Sequence, residues 1–337
     1  MLEVSGKPNF PPVFLGNGVT TSCMLYYYLK ANPGGRVVQI YDENALNSVD
    51  HDICILVTHN GIERGVNSLG DLLLDSFEYF KRSFSRNSGV REVKQYHLKI
   101  EDENSRVKFE RRFGRNDVHI SNSIFKGDMK AVVLDAFLVN GQLFKDSLLG
   151  HSSDRISKHK GIISSYSQEG PFHILRGPLG KFTTKEIYSG LGPFSKFLPY
   201  SFIHSSKINR HKTVCGGVWS ARGKLSSDSF VISLGTSNLI YDSELSVVQI
   251  SGISNDDGQS LVTESGFENN HRNFDQIVQN LPSYRDGRVI TSYRDKGRHR
   301  MPYVYELRDK DTRIVSVAGA YKNGYTLSPY LTRNLFG

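Results

Sequence analysis

Cysteine is scarce in this chain of 337 residues, and its three copies, Cys23, Cys54 and Cys215, form no pattern. An odd, widely spread set excludes a disulfide framework and a cysteine-based metal centre, and it points to a reducing, cytoplasmic home. Long apolar runs are also missing. None reaches the roughly 18 residues that a membrane-spanning helix needs, and the first residues, Met1 to Pro8, lack the basic-then-apolar order of a secretory signal. No Gly-Lys-Ser/Thr loop and no Gly-x-Ser-x-Gly elbow occurs, so neither an NTPase nor an elbow-type hydrolase is indicated. The 11 histidines show no His-x-x-x-His spacing, and no metal site is expected.

Negative charge is locally absent. The formal net charge is +8, and from Ile187 to Ser227 there is no carboxylate, against Lys196, Lys207, Arg210, Lys212, Arg222 and Lys224. A second basic segment runs from Arg285 to Arg300. Such stretches can attract an anionic partner such as nucleic acid or a carboxylate substrate, although most surface lysines and arginines simply solvate a face.

What is present is most informative near the N-terminus. A short apolar run, Pro12 to Leu15, ends in Gly16-Asn17-Gly18. A helix-like stretch follows from Thr20 to Ala31, then a second apolar run, Val37 to Tyr41, closed by Asp42. This order is the strand–helix–strand unit that sets a dinucleotide pyrophosphate on a helix N-terminus and a ribose hydroxyl on a carboxylate. One element departs. The third small position, where helix and strand pack closely, holds Thr21. A β-branched residue there is expected to push the helix outward or to require a compensating change.

Further on, Ile53 to Val57 is apolar. Ser68 to Phe80 carries apolar residues at helical spacing behind a capping-box-like Ser68/Asp71 start. Alternation between Val90 and Phe113 suggests a hairpin. Ala131 to Val139 is mostly apolar, Asn140-Gly141 reads as a turn, and Gln142 to Leu149 opens a helix. The segments around Ile162, Phe172, Val214, Phe230 and Leu239 have the composition of an antiparallel sheet. A short helix is expected from Phe274 to Leu281, a strand from Arg313 to Ala318, and a last helix from Thr326 to Phe336. The order predicts an interleaved α/β architecture, with a nucleotide-binding domain built from both ends of the chain around a β-rich insertion.

Four segments carry a likeness to a known group: Val13 to Asp42; Ser189-Gly-Leu-Gly192-Pro-Phe-Ser195; Arg294 to Pro302; and Ala318-Gly319 through Gly324-Tyr-Thr-Leu-Ser-Pro329. Together they resemble the D-amino-acid oxidase-like FAD-dependent oxidoreductases, which include glycine oxidase, sarcosine oxidase and the FAD domain of the bifunctional tRNA methylaminomethyl-thiouridine enzyme. The resemblance implies a Rossmann-like FAD-binding domain (1–80, 130–200 and 310–337) with an inserted, mainly antiparallel β substrate domain (81–129 and 201–309). It implies oxidation of a C–N bond of an amine or amino acid by hydride transfer to flavin N5.

The same resemblance assigns cofactor contacts to Gly16, Asn17, Gly18, Val19, Thr20, Asp42, Glu43, Ser48, His59, Gly192, Gly319, Gly324, Tyr325 and Thr326. Glu43 is the fallback for Asp42, and His59 reads as an ordinary loop histidine near the flavin, with covalent flavin attachment as the alternative. Arg294 is the expected partner of a substrate carboxylate, with Arg300 and Arg298 competing, and Tyr321 and Tyr325 are expected either to line the pocket or to pack in the core. Two alternatives remain open. One is a degenerate, flavin-binding or flavin-free interaction protein, suggested by Thr21 and the short last helix. The other is a flavoenzyme acting on modified tRNA, suggested by the basic segments.

Overall fold

The computed structural model describes residues 10–42, 53–59, 68–98, 107, 110, 117–120, 123–199, 201–202, 211–255, 264–297, 300–320 and 322–336. Its first unit follows from the apolar run at the N-terminus. Strand β1 (Val13–Leu15) is buried at every position. Helix α1 (Val19–Ala31) starts at Gly18 and buries Thr21, Cys23, Met24, Leu25 and Leu29. Asn32 closes it, donating its backbone N–H to the Tyr28 carbonyl, and strand β2 (Val37–Tyr41) then returns beside β1.

The next strands leave this sheet. Strand β3 (Cys54–Val57), helix α2 (Ser68–Phe84), β4 (Val90–Leu98), β5 (Asp117–Ile120) and β6 (Met129–Asn140) follow in order. Helix α3 (Gly141–Leu149) begins directly after β6. The Asn140 side chain accepts the Leu143 N–H, so the pair read as a turn is a helix N-cap. Strands β7 (Ile156–Lys160), β8 (Ser165–Glu169), β9 (Phe172–Gly177), β10 (Gly180–Thr184), β11 (Glu186–Ser189), β12 (His211–Arg222), β13 (Phe230–Leu234), β14 (Ser237–Asp242) and β15 (Val247–Asn255) come next. Helix α4 (Glu264–Asp275), β16 (Arg288–Gly297), β17 (Tyr303–Asp309), β18 (Thr312–Ala318) and helix α5 (Gly324–Thr332) complete the chain.

These strands make three sheets. The first has six strands in the order β17-β18-β11-β1-β2-β7, with β17 alone antiparallel. The register sets Leu15 level with Ile40 and Ser189, and Ser189 level with Ser316, so the carboxyl ends of four strands share one edge. β1 lies between β2, reached through α1, and β11, reached from far along the chain. That is a topological switch point, where a crevice opens outside the strand ends. The second sheet is the small antiparallel meander β8-β9-β10. The third has nine strands in the order β16-β12-β15-β14-β13-β4-β6-β3, with β5 also paired to β6.

The mixed α/β class and the mainly antiparallel insertion agree with the sequence reading, but three details differ. β4 is paired on both sides, with β6 and, in parallel, with β13, and the return arm of the expected hairpin lies almost wholly outside the described residues. α4 spans Glu264–Asp275, and the stretch expected as helix from Phe274 is mostly turn. β3 and β6, placed by their sequence position with the nucleotide domain, pair in the nine-stranded sheet, whereas β17 joins the six-stranded one. The misleading feature of β6 is its near-continuous apolar run, which resembles a buried parallel strand. Its Phe137 packs on Phe77 and Phe80 of α2, while Ala136 and Leu138 fill a second cluster with Val93 and Val231. Both faces are covered, so both must be apolar.

Candidate functional site

The glycine loop after β1 is built by close approach. Gly16 has φ +111, a conformation that favours glycine, and its N–H donates to the Ile40 carbonyl at 2.9 Å. A Cβ at Gly18 would meet no atom within 4 Å, and both Asn17 and Gly18 are exposed. This is open space for a ligand against bare backbone. From beneath, the buried Gln39 donates to the Gly16 carbonyl at 2.9 Å, and the buried Lys145 donates from Nζ to the Asn17 carbonyl at 3.3 Å.

Thr21 is accommodated by glycine rather than by displacement. Its hydroxyl donates to the Leu15 carbonyl at 3.1 Å. A Cβ on Gly16 would stand 2.8 Å from Thr21 Oγ1, and one on Gly190, just past β11, would stand 2.5 Å from it. Two glycines flanking the threonine supply the compensating space.

A second helix start meets the first. Neither α1 nor α5 has a side-chain cap on its first turn, and neither carries an acid there. A Cβ on Gly324 would lie 3.6 Å from Val19 Cγ1, and the Thr20 and Ser328 hydroxyls are hydrogen-bonded at 2.8 Å. Two positive dipole ends therefore converge beside the glycine loop. Each favours an anion by about 0.3–1 kcal/mol when exposed and up to ~2 kcal/mol when partly buried.

The large sheet reaches the same edge through β16. The carboxylate of Asp295, which is buried, accepts the Gly319 N–H at 2.6 Å. Gly319 has φ +81 and lies on the turn between β18 and α5. Gly192, with φ +54, lies beside the same carboxylate: a Cβ there would be 3.9 Å from Asp295 Cβ. Next door, the half-buried Arg294 lays its guanidinium over β12, where a Cβ on Gly216 would stand 2.6 Å from Nη1.

The other expected residues divide. Asp42 is exposed at the end of β2, two residues past the Ile40 that holds Gly16. Thr326 is buried on α5. Tyr325 packs into the helical core, its ring 5.9 Å from that of Phe144. His59 is buried at the end of β3 with its ring 3.7 Å from Phe77. Arg300 is half-buried between β16 and β17, in a left-handed conformation at φ +62. Glu43, Ser48, Arg298 and Tyr321 lie outside the described residues. The cysteines are free and buried. Burial pushes the Cys23 thiol up, and burial with the neighbouring Asp242 carboxylate does the same for Cys54, so both are held as inert thiols. Among the described residues no group of three or more His, Cys, Asp or Glu is disposed to hold a metal ion, and no helix is long and apolar enough to cross a membrane.

No family model and no curated protein sequence matches the chain. Solved structures do. Glycine oxidase from Bacillus cereus aligns at a TM-score of 0.74 with 16% identity, over 97% of this chain and 94% of that one. Iminodiacetate oxidase from Chelativorans gives 0.71 and 17%, over 97% and 94%. The glycerophosphate oxidase of Mycoplasma pneumoniae, solved with FAD bound, gives 0.74 and 11%, over 96% and 92%. The chain has the glycine oxidase fold.

Within the glycine oxidase fold, four residues of this site have no individual role in the sequence reading, although all but Lys145 lie in segments that carry the likeness: Gln39, Lys145, Gly190 and Asp295. Two had a legible signal. Gln39 is the one polar residue inside an apolar strand run. Lys145 sits in the buried set of α3 with Gly141, Phe144, Leu148 and Leu149. A polar group at an apolar-face position needs an interior partner, and each has one in the glycine loop.

Proposed function

We propose that the protein is an FAD-dependent oxidoreductase that oxidises a carbon–nitrogen bond of a small amine or amino acid. One observation carries the reading: two uncapped, acid-free helix N-termini meet over a glycine loop at the switch point of a parallel sheet. An elongated dianion with a nucleotide at each end suits that arrangement, and the open space at Gly18 leaves room for it.

The amides of Asn17, Gly18, Val19 and Thr20 are assigned to the pyrophosphate, and Asp42 to a ribose hydroxyl. The start of α5, with Gly324 and Thr326, is assigned to the electron-rich edge of the isoalloxazine. Gly192 and Gly319 would bring backbone close to that ring, and Asp295 holds the second of them in place. When bound, FAD supplies the acceptor for the hydride equivalent that leaves the carbon bearing the amine. Arg294 offers a planar fork to a substrate carboxylate. A substrate that arrives with a neutral amine needs no side-chain base. The free, buried cysteines suit a reducing cytoplasm.

The test is a visible spectrum of the purified protein, followed by anaerobic addition of glycine, N-substituted glycines, larger amino acids and hydroxy compounds. Bleaching of a flavin spectrum by an amine supports the reading. A spectrum bleached only by hydroxy compounds moves the chemistry to C–O bonds. A folded protein without flavin affinity sinks it.

A tRNA-directed reading draws on a different observation. β12 and β16 are neighbours, so the two basic segments of the sequence join on one edge of the large sheet, with Lys212, Arg222 and Arg288 exposed. Binding of tRNA that weakens steeply with salt supports that reading; salt-independent or absent binding counts against it.

A further inference from the structure

Two buried side chains hold consecutive carbonyls of the glycine loop from the protein side. Gln39 Nε2 donates to Gly16 O at 2.9 Å, and Lys145 Nζ donates to Asn17 O at 3.3 Å. They come from different elements, the middle of β2 and the inner face of α3, with exposures of 1% and 6%. In a planar trans peptide, a carbonyl and the N–H of the next residue point in opposite directions. Drawing Gly16 O and Asn17 O inward therefore turns the N–H groups of Asn17 and Gly18 outward. Outward is the exposed side of the loop, where Gly18 has no neighbour within 4 Å of a Cβ position. Gly16's own N–H is already used by Ile40 O, so the two presented amides are those that the grip controls.

We propose that Gln39 and Lys145 are the positioning residues of an anion-binding loop, and that Lys145 also supplies a buried positive charge beneath the phosphates. This rests on the dinucleotide reading above and specifies how this chain achieves it. The backbone amides touch the ligand; the two side chains act through the carbonyls. The lysine differs from the glutamine in one respect. Its ammonium adds a positive charge beneath the anion, an attraction that salt screens because Asn17 and Gly18 above it are exposed.

The experiment uses the purified full chain freed of nucleotide, titrated with FAD and with ADP over a range of salt concentrations. Lys145→Met is expected to weaken both ligands by roughly tenfold or more, the scale of a lost hydrogen bond to a charged group, and to flatten the salt dependence. Gln39→Met is expected to weaken both by a smaller factor with the salt dependence unchanged, because no charge is lost. Lys145→Arg is expected to retain most of the affinity. Melting without ligand reports whether each variant folds. If Lys145→Met fails to fold, Gln39→Met decides: loss of affinity upholds the inference, and wild-type affinity overturns it. A folded Lys145→Met that binds as wild type, or loses affinity with the salt slope intact, overturns it alone. A wild-type protein that binds neither ligand overturns the dinucleotide reading and this inference together.

Discussion

Thr21 and Gly190 share one volume: a Cβ added to Gly190 would sit 2.5 Å from the threonine hydroxyl oxygen and 2.8 Å from its backbone nitrogen. The crowding that the threonine introduces under α1 is thus relieved on the neighbouring strand end. Gly190→Ala is expected to destabilise the protein by about 1–3 kcal/mol, the usual range for overpacking. Thr21→Ala in the same chain should restore part of this, because the hydroxyl contact goes while the backbone contact stays. A double-mutant cycle by denaturant unfolding measures the coupling. Strict additivity would show that the two residues do not compete for space.

Asp295 joins the two large sheets at the site. Removing its carboxylate leaves the Gly319 N–H without its charged acceptor in a buried place. Asp295→Ala should cost about 1.5–3 kcal/mol, and Asp295→Asn less, since an amide oxygen still accepts. Both variants should also weaken FAD, through the displaced turn before α5. Unfolding curves with and without FAD check this, and an unchanged Asp295→Ala would remove the carboxylate from the account.

Much of the first unit was legible because its signals are local. The apolar run, the glycines and Asp42 stand in chain order, and β1, α1 and β2 appear where that order puts them. The β-formers around Phe172, Val214, Phe230 and Leu239 likewise became strands, whereas Ile162 lies in the loop before β8. What sequence did not reveal depends on contacts between distant residues. The parallel pairing of β4 with β13 joins residues more than a hundred positions apart, and nothing in Val90 to Leu98 marks a partner. The role of Lys145 likewise depends on α3 packing against α1, with 128 positions between Lys145 and Asn17. Tyr325 shows the converse: for an aromatic beside a motif glycine, sequence leaves pocket and core equally open, and the residue fills the core against Phe144.

Stability should fall on mild acidification. Burial, with His59 nearby, lowers the His97 pKa to about 4, and burial alone lowers that of His173 to about 4. An unfolded histidine titrates near 6.5, so between these values the unfolded chain binds more protons than the folded one. The stabilisation is complete above about pH 6.5 and is lost as pH falls toward 4, with a limiting slope of about 1.4 kcal/mol per pH unit per histidine. Unfolding free energy measured across this range should flatten in His97→Gln. An identical pH profile in that variant would contradict the assignment.

Arg294 is expected to read the carboxylate of the substrate. Arg294→Lys should raise KM for amino acids while leaving amines without a carboxylate nearly unaffected, because an ammonium cannot reproduce the two-pronged contact. Gly216→Ala should act in the same direction, since its Cβ would enter the space of the guanidinium. Steady-state kinetics on paired substrates, one of each kind, separates this from a general loss of activity.

The most direct test is a titration of folded, nucleotide-free protein with FAD, with ADP as competitor. Stoichiometric binding of one FAD, displaced by ADP, is the predicted result. A protein that melts cooperatively yet takes up neither ligand would contradict the assignment of the paired helix starts to a dinucleotide.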